Sequence, residues 1–403
     1  MSAVAKNIQE IIKNASWIRR MFEAGIALKK EFGEEAVCDF SLGNPDLAPP
    51  EIIAKELKRL SENATKPFAF GYMPNAGLPV LREALAKHLS KEQGVELTAN
   101  EIIATVGAAG GLNTIFRTIL EHGDKILGIS PNFVEYGFYV GNYGGVFETV
   151  ASKPDTFELD LEAIEKALTP KTKALMMNSP NNPTGQIYSA ESLKALAAIL
   201  KKKSAEFGYD IYLISDEPYR FLTYDNAIVP PILSIYSASM VVNSASKSLS
   251  LPGERIGFIA LSPLMKERAE LMAGLTLASR ILGFVNPPVV GQYLMLAGLE
   301  SQVDASVYAR RRALMAEVLT KAGYEFFMPK GAFYFFVKAP NAQKGKLGDD
   351  VAFVNGPLLK EKILAVPGSG FNGAGYFRLA FCVDEAVIKR SEAGFKRALD
   401  SVK

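Results

Sequence analysis

Short apolar runs alternate with polar or glycine-rich turns and with helical periodicity between about residues 100 and 260. The runs are EIIATV (101–106), DKILGIS (124–130), KALMMN (173–178), DIYLIS (210–215) and MVVN (240–243). Between two of them, the segment ESLKALAAILKKK places Leu193, Leu196 and Leu200 on one helical face. Strands that alternate with helices predict an α/β fold whose sheet is mostly parallel and covered by helices.

The two ends of the chain show a different pattern. Residues 1–45 combine a helical pattern with the extended piece VCDFSLGNP, whereas the residues from about 286 onward give a long helical pattern and then three apolar runs, at 331–338, 363–371 and 376–382. We expect a large domain over 46–285 and a smaller α+β domain built from 1–45 and 286–403. Arg310, Arg311 and Arg312 fall in the helical pattern, and we interpret them as a solvated face.

Composition narrows the class of protein. The 403 residues are 48% hydrophobic and 22% charged, which is typical of a soluble globular protein. The net charge of +2 gives no electrostatic basis for a nucleic-acid or membrane partner. No stretch approaches 18 apolar residues, and the N-terminus has no apolar signal region. Only two cysteines are present, Cys38 and Cys382, so we expect a reducing, cytoplasmic location.

The scarcity of histidine limits the chemistry further. His88 and His122 are the two histidines of the chain, and neither is close in sequence to the other or to a cysteine. This pattern argues against a zinc site and against a Ser-His-Asp triad, so we expect no metal. A catalytic base in this chain is therefore expected to be a lysine or a carboxylate.

Polar segments follow the predicted strands. They are GAAGGLNTIF, PNF, SPNNPTG, DEPY and SASK. In sheets of this kind ligands bind outside the carboxyl ends of the strands. An ordinary turn is the better interpretation of any one of these segments taken alone, so it is their combined chemistry that indicates a site.

The segment SASKSLSLPGERIGF (244–258) surrounds a lysine with hydroxyl groups at the end of a predicted strand. Lys247 can bind an aldehyde as a Schiff base. Ser244 and Ser246 can donate hydrogen bonds to a phosphate, and the guanidinium fork of Arg255 can neutralise it. The backbone N–H groups after TVGAAGG, at a helix start, can bind phosphate as well, although close helix packing also explains the small residues there.

A carboxylate at a neighbouring strand end complements this lysine. Asp216 ends a predicted buried strand, where an ionised carboxylate is costly unless it is paired. A protonated pyridine nitrogen would pair it, Asn182 and Tyr219 can hydrogen-bond a phenolic oxygen, and Phe133 can stack on a ring. An aldehyde, a phosphate, a pyridine nitrogen and a phenolic oxygen all belong to pyridoxal 5′-phosphate.

With these residues the sequence resembles the class I/II aminotransferases of the fold-type I pyridoxal-phosphate enzymes, the aspartate aminotransferase superfamily. The resemblance covers nearly the whole chain, through GYMPNAGLPVLREAL (71–85), SPNNPTG (179–185), SDEPY (215–219), SASKSLSLPGERIGF (244–258) and FRLAF (377–381). It implies a ping-pong transfer of the amino group of an L-amino acid to a 2-oxo acid. It also implies a homodimer with shared active sites.

The resemblance assigns a role to each matching position. Lys247, Asp216 and Tyr219 are the expected catalytic residues. The α-carboxylate of the substrate is expected to bind Arg378, with help from Gly43 and Asn182. Tyr72 is expected to reach the phosphate of the partner subunit. The remaining expected cofactor-binding residues are Ala108, Ala109, Phe133, Asn182, Ser244, Ser246 and Arg255.

Two alternatives share the fold. A carbon–sulfur β-lyase, or another fold-type I enzyme, would use the same residues, so these motifs do not separate it from an aminotransferase. A pyridoxal-phosphate-sensing transcription regulator would need a DNA-binding domain ahead of SLGNPD, and about 40 residues precede that motif.

The sequence gives a weaker indication of the amino donor. Some aspartate aminotransferases of this family carry a lysine for the distal carboxylate of the substrate where this chain has Ala109. Arg280 is an alternative cation, although a surface arginine at a helix end is as good an interpretation. Because a second buried carboxylate would lack a partner, we expect neutral or aromatic donors to be preferred. The residues that we expect to line an apolar pocket are Leu42, Tyr136, Phe284 and Phe371.

Overall fold

The computed structural model describes residues 2–13, 17–340 and 348–403. The chain forms two compact units. The larger comprises Pro45–Ala305 with Lys330–Ala332, and the smaller comprises Met1–Asn44, Ser306–Pro329 and Phe333–Lys403. The sequence-based division into a large domain (46–285) and a smaller domain (1–45 and 286–403) stays a prediction.

The larger unit contains a seven-stranded sheet in the order β2-β8-β7-β6-β5-β3-β4. Neighbouring strands from β7 through β4 are parallel, whereas β8 runs antiparallel to both β7 and β2. The predicted α/β fold with a mostly parallel sheet is confirmed. The strands are β2 (Ile102–Thr105), β3 (Lys125–Ser130), β4 (Val146–Ala151), β5 (Thr172–Asn178), β6 (Tyr212–Asp216), β7 (Ser239–Ser244) and β8 (Gly257–Leu261).

Helices cover both faces of this sheet. Because successive side chains of a strand point to opposite faces, the sheet feeds two separate cores: Leu213 packs in one, and Ile214 packs in the other. The helices of this unit are α3 (Glu51–Asn63), α4 (Pro79–Gln93), α5 (Gly107–Ile119), α6 (Tyr136–Gly141), α7 (Leu161–Ala167), α8 (Ala190–Phe207), α9 (Ile232–Ile235), α10 (Ala245–Ser248), α11 (Arg268–Ile281) and α12 (Val289–Gly298).

The smaller unit pairs short strands with helices. Its three-stranded antiparallel sheet has the order β11-β12-β9, and β1 pairs with β10 in parallel. The strands are β1 (Cys38–Asp39), β9 (Tyr334–Lys338), β10 (Ile363–Leu364), β11 (Val366–Pro367) and β12 (Tyr376–Ala380). The helices are α1 (Lys6–Lys13), α2 (Trp17–Phe32), α13 (Ala305–Ala322), α14 (Asp350–Phe353), α15 (Glu385–Arg390) and α16 (Glu392–Asp400), with a π-helix at Val354–Leu358.

The interpretation of the three consecutive arginines was wrong for two of them. Arg311 and Arg312 are 6% and 7% exposed, whereas the side chain of Arg310 is 59% exposed and lies 3.5 Å from Glu385. The guanidinium of Arg311 lies 5.7 Å from the ring centre of Tyr308. Long aliphatic stems let arginines pack inside a helix face, and charge counted along the sequence does not reveal this.

None of the helices in the described residues combines the length and the apolar character that a membrane span requires.

Candidate active site

The polar strand ends of the larger unit meet at one edge of its sheet. β2, β3, β5, β6 and β7 run in the same direction, so their carboxyl ends, Thr105, Ser130, Asn178, Asp216 and Ser244, lie along that edge. β8 runs the other way and begins at the same edge, since Gly257 is in register with both Thr105 and Ser244. The five segments singled out in the sequence are therefore neighbours.

The start of α5 offers backbone N–H groups that can bind an anion. The first N–H groups of a helix have no intrahelical partner, and Ala108 and Ala109 lie in that first turn. A side chain at Gly257 would come within 3.0 Å of the backbone nitrogen of Ala108, so β8 approaches the helix start at backbone distance. This approach brings Arg255, two residues earlier, against the same turn.

Arg255 fits a phosphate site by position and by exposure. A Cβ placed on Gly107 would lie 3.0 Å from Nη2 of Arg255, so a larger residue there would crowd the guanidinium. Gly107 also has a φ of +66°, which glycine adopts without strain. Nη1 of Arg255 donates to the carbonyl of Pro252 at 2.9 Å, while the residue stays largely exposed to solvent. The described residues thus fit the phosphate end of the expected cofactor.

The lysine lies on the adjoining turn. β7 ends at Ser244, and the short helix α10 (Ala245–Ser248) follows at once, which places Lys247 on its third residue. Ser244 and Ser246 are 4% and 9% exposed, and Lys247 is half-buried. The structure therefore brings these three residues, the start of α5 and Arg255 to the same sheet edge.

Asp216 is buried and incompletely satisfied. It is 6% exposed, its Oδ2 accepts a 2.6 Å hydrogen bond from the hydroxyl of Tyr136, and its Oδ1 has no hydrogen-bond partner among the described residues. Burial raises the pKa of Asp216 to about 7, the bond from Tyr136 opposes the rise, and the charge of Glu217 adds to it. A buried carboxylate oxygen without a partner is expensive, and a protonated pyridine nitrogen would satisfy it.

Tyr136 has a role that the sequence analysis missed. It was expected to line an apolar pocket, but it is 2% exposed and its hydroxyl binds Asp216. Burial and the neighbouring carboxylate raise the pKa of Tyr136 well above its usual range, so it stays a hydrogen-bond donor. The available signal was its spacing of three residues from Phe133, whose ring lies 5.5 Å away in an edge-on arrangement, together with the need of a buried hydroxyl for a partner.

Asn178 is a second residue that the sequence analysis missed. Its Nδ2 donates to the carbonyl of Asp216 at 2.7 Å, and its Oδ1 accepts from the backbone N–H of Asn182 at 2.6 Å. One side chain thus joins the carboxyl ends of two adjacent strands and fixes the start of the SPNNPTG segment. Tyr219, the other expected ligand of the phenolic oxygen, is 4% exposed and lies close enough to Tyr136 to raise its pKa.

Phe133 and Tyr139 occupy the rest of this edge in the larger unit. Phe133 is half-buried just before α6, as a stacking residue would be. Burial raises the pKa of Tyr139, Glu135 and Asp216 raise it further, and Arg255 lowers it. Tyr139 therefore lies within electrostatic reach of both Asp216 and Arg255, the groups expected at the two ends of the cofactor.

The expected carboxylate-binding arginine lies in the smaller unit. Arg378 is 2% exposed in the central strand β12, and its Nη2 donates to the carbonyl of Ser41 at 2.6 Å. Its guanidinium carbon lies 4.7 Å from the ring centres of Tyr334 and Phe371. Gly43 approaches this cluster so closely that an added Cβ would lie 2.0 Å from the Tyr334 hydroxyl. Phe371, expected to line an apolar pocket, packs against the arginine.

Two further expected residues lie at exposed positions of the larger unit. Tyr72 is 95% exposed in the segment that precedes α4, and Phe68 beside it is 94% exposed. Arg280 is exposed in the last turn of α11.

Comparison with known proteins identifies similar sequences and structures. The family model described as aminotransferase class I and II matches residues 35–391. The chain is 35% identical to a probable aspartate/prephenate aminotransferase of Aquifex aeolicus, over 91% of this chain and 92% of that one. An aminotransferase structure from Eubacterium rectale superimposes with a TM-score of 0.94 at 35% identity and covers both chains fully. The aspartate aminotransferase of Thermus thermophilus with maleate gives a TM-score of 0.84 at 31% identity, over 99% of this chain and 100% of that one.

Proposed function

We propose a role in the reaction for each residue named above. The chain belongs to the class I and II aminotransferase family and is a pyridoxal-phosphate-dependent aminotransferase. When bound, the cofactor supplies an aldehyde for amines and a pyridine ring that accepts electrons. Asp216 would hold the ring nitrogen. The other residues that would hold the cofactor are Lys247, Asn182, Tyr219, Phe133, Ala108, Ala109, Ser244, Ser246 and Arg255. The observation that carries this proposal is the buried Oδ1 of Asp216, which has no partner among the described residues.

Lys247 moves the proton in this proposal. Its Nζ would remove the proton from the α-carbon of the amino acid and return it on the cofactor side of the nitrogen. The amino group would then stay with the bound cofactor, while one water molecule supplies the oxygen of the 2-oxo acid. A second 2-oxo acid then takes the amino group in the reverse sequence. Lys247 lies half-buried on a turn of the larger unit, and Tyr219 assists it as the third catalytic residue.

Arg378 binds the α-carboxylate in this proposal. A guanidinium group can bind a carboxylate through two parallel hydrogen bonds. The rings of Tyr334 and Phe371 pack against the guanidinium of Arg378, with each ring centre 4.7 Å from its carbon atom. Gly43 permits the close approach of the Tyr334 hydroxyl, and Asn182 is the expected third contact of the substrate.

The assembly that completes the site is a homodimer. Tyr72 and Phe68 are almost fully exposed in the single chain. Large aromatic side chains exposed on one short segment usually mark an interaction surface. We assign Tyr72 to the phosphate of the partner subunit. The cytoplasm is the proposed location because the chain has only two cysteines, Cys38 and Cys382, too few for a framework of disulfides.

Neutral or aromatic amino acids are the proposed donors. Ala109 offers no cation to a distal carboxylate at the helix start. The relatives described above are named aspartate or aspartate/prephenate aminotransferases, so the substrate of this chain needs a direct measurement. We expect kcat/KM with one acceptor to be higher for alanine, methionine or phenylalanine than for aspartate. A clear preference for aspartate would contradict this and would point to Arg280 or to a residue of the partner subunit.

The test of the catalytic assignment is Lys247→Ala, with Lys266→Ala as the control at an exposed lysine. We expect Lys247→Ala to lose the absorbance of the lysine–cofactor bond and almost all turnover, and Lys266→Ala to keep both. A Lys247→Ala protein that still forms a borohydride-reducible bond to another lysine would overturn the assignment.

A further inference from the structure

A buried glutamine joins two distant segments of the larger unit. Gln292 lies in α12 and is 0% exposed. Its Oε1 accepts a 2.8 Å hydrogen bond from the backbone N–H of Leu78, and its Nε2 donates to the carbonyl of Pro287 at 2.9 Å and to Sδ of Met73 at 2.8 Å. Both polar atoms of the side-chain amide are therefore hydrogen-bonded. Their partners lie in two loops, the one that precedes α4 and the one that precedes α12.

The segment that carries Tyr72 is held from three sides. Beyond the bonds to Gln292, Nδ2 of Asn286 donates to the carbonyl of Met73 at 3.1 Å, and the backbone N–H of Ala104 donates to the carbonyl of Ala76 at 2.9 Å. Gly77 has a φ of +101°, and a Cβ on it would lie 3.0 Å from Oε1 of Gln292. Because Gly77 has no side chain, Oε1 of Gln292 can come close enough to accept the hydrogen bond from the backbone N–H of Leu78.

The loop that precedes α12 contains a residue in a strained backbone conformation. Val285 has a φ of +61°, a left-handed conformation that is rare for a β-branched residue and costs about 1–3 kcal/mol. It lies between Phe284, which packs 3.7 Å from the Cβ position of Gly110 at the start of α5, and Asn286. The surrounding hydrogen bonds, including those of Gln292 and Asn286, hold this strained turn in place.

We propose that Gln292 is a positioning residue, which fixes the backbone under Tyr72 and thereby sets how tightly the phosphate of the cofactor is held. The inference rests on the proposed role of Tyr72 at the site of the partner subunit. Within its own subunit Tyr72 is 95% exposed. Packing there orients its side chain little, so its direction toward the partner subunit depends on the backbone beneath it. Gln292 and Asn286 hold that backbone through Met73, the residue that follows Tyr72.

The experiment measures the dissociation constant of pyridoxal 5′-phosphate for the full-length protein carrying Gln292→Leu, Tyr72→Phe or both. We expect Gln292→Leu to weaken binding about tenfold, on the scale of losing buried hydrogen bonds, and Tyr72→Phe to weaken it at least as much. The double variant should bind no more weakly than Tyr72→Phe alone. The control is Gln93→Leu, a buried glutamine of the same unit whose Oε1 also accepts from a backbone N–H, that of Leu233. It should leave the dissociation constant within about twofold.

Each outcome supports or overturns the inference. If Gln292→Leu binds like the wild type, or if the two losses multiply in the double variant, Gln292 does not act through Tyr72. If Tyr72→Phe changes nothing, the proposed role of Tyr72 is wrong and the inference fails with it. If Gln292→Leu does not fold, Asn286→Ala removes the bond to Met73 from the partly exposed side. That variant should weaken binding about threefold without adding to Tyr72→Phe, and unchanged binding would overturn the inference.

Discussion

Asp216 and Glu217 are consecutive buried carboxylates with opposite surroundings. They are 6% and 1% exposed, and burial raises the pKa of both. Glu217 lies 2.8 Å from Arg220, accepts a 2.7 Å bond from Ser215, and shares Arg220 with Glu92. Asp216 accepts a bond from a neutral tyrosine, and its second oxygen has no partner among the described residues.

The alternation of the strand produces this difference. Asp216 has the parity of Ile214 and faces the core that contains Tyr136, whereas Glu217 has the parity of Leu213 and faces the other core. On one face of the sheet Arg220 pairs with Glu217. On the other face Oδ1 of Asp216 has no partner among the described residues. A buried charge that the protein itself pairs is structural, and one that it leaves open at a sheet edge indicates a ligand.

The largest expected effect is on the paired side. Arg220→Leu would leave Glu217 and Glu92 without their shared cation, and we expect the free energy of unfolding to fall by about 3–5 kcal/mol. The double variant Arg220→Leu/Glu217→Leu should recover most of the loss, since an apolar pair replaces the ion pair. Urea unfolding of the three proteins measures this. An Arg220→Leu protein as stable as the wild type would show that the pair on this face is not structural.

The open carboxylate should make the cofactor-free protein less stable at higher pH. The pKa of Asp216 is raised from 3.8 to about 7, so its favourable contribution is complete below pH 3.8 and is lost as the pH rises through 7. A shift of about three units corresponds to roughly 4 kcal/mol. Asp216→Asn should therefore stabilise the cofactor-free protein at pH 8 more than at pH 5, as measured by urea unfolding. An equal effect at both pH values would contradict the raised pKa.

Activity should respond to Asp216 far more than to Glu217. Asp216→Asn would remove the anion that we propose keeps the ring nitrogen protonated, at a cost of about 2–5 kcal/mol, or a loss in kcat/KM of roughly 30-fold to several thousand-fold. Glu217→Gln is the matched change one residue away, and it should reduce kcat/KM by less than about fivefold in the cofactor-saturated enzyme. Steady-state kinetics of both variants decide the matter, and equal losses would remove the distinction between the two carboxylates.

The smallest expected effect is that of Tyr136→Phe. The change removes the 2.6 Å bond to Oδ2 of Asp216, and we expect a loss in kcat/KM of about fivefold, the scale of one hydrogen bond. Tyr236→Phe is the control, because that buried hydroxyl donates to the carbonyl of Ile211 at 2.8 Å. The two pH profiles of kcat/KM should differ, since Tyr136 lowers the pKa of Asp216. Indistinguishable profiles would mean that Tyr136 serves only packing.

The sequence by itself determined five of the seven strands of the larger unit, its mostly parallel sheet and the polar segments at the carboxyl ends of those strands. It did not predict β4 or β8. Apolar runs that alternate with helical periodicity are local patterns, and the lysine segment and SPNNPTG are contiguous in the chain. Their chemistry could be interpreted without coordinates because each motif carries its polar groups within a few residues of a strand end. Phe133, Asp216 and Lys247 were all located in this way.

The tertiary structure decided which groups satisfy one another. The bond of Tyr136 to Asp216 spans 80 residues, and the bond of Gln292 to Leu78 spans 214. Two of the three consecutive arginines proved buried. Glu217 proved to be paired with a cation, whereas Oδ1 of Asp216 has no partner among the described residues. A single sequence records the residue types but not the partners. Hydrogen bonding and burial are set by contacts between segments that are distant along the chain, and those contacts exist only after the sheet has brought its strand ends together.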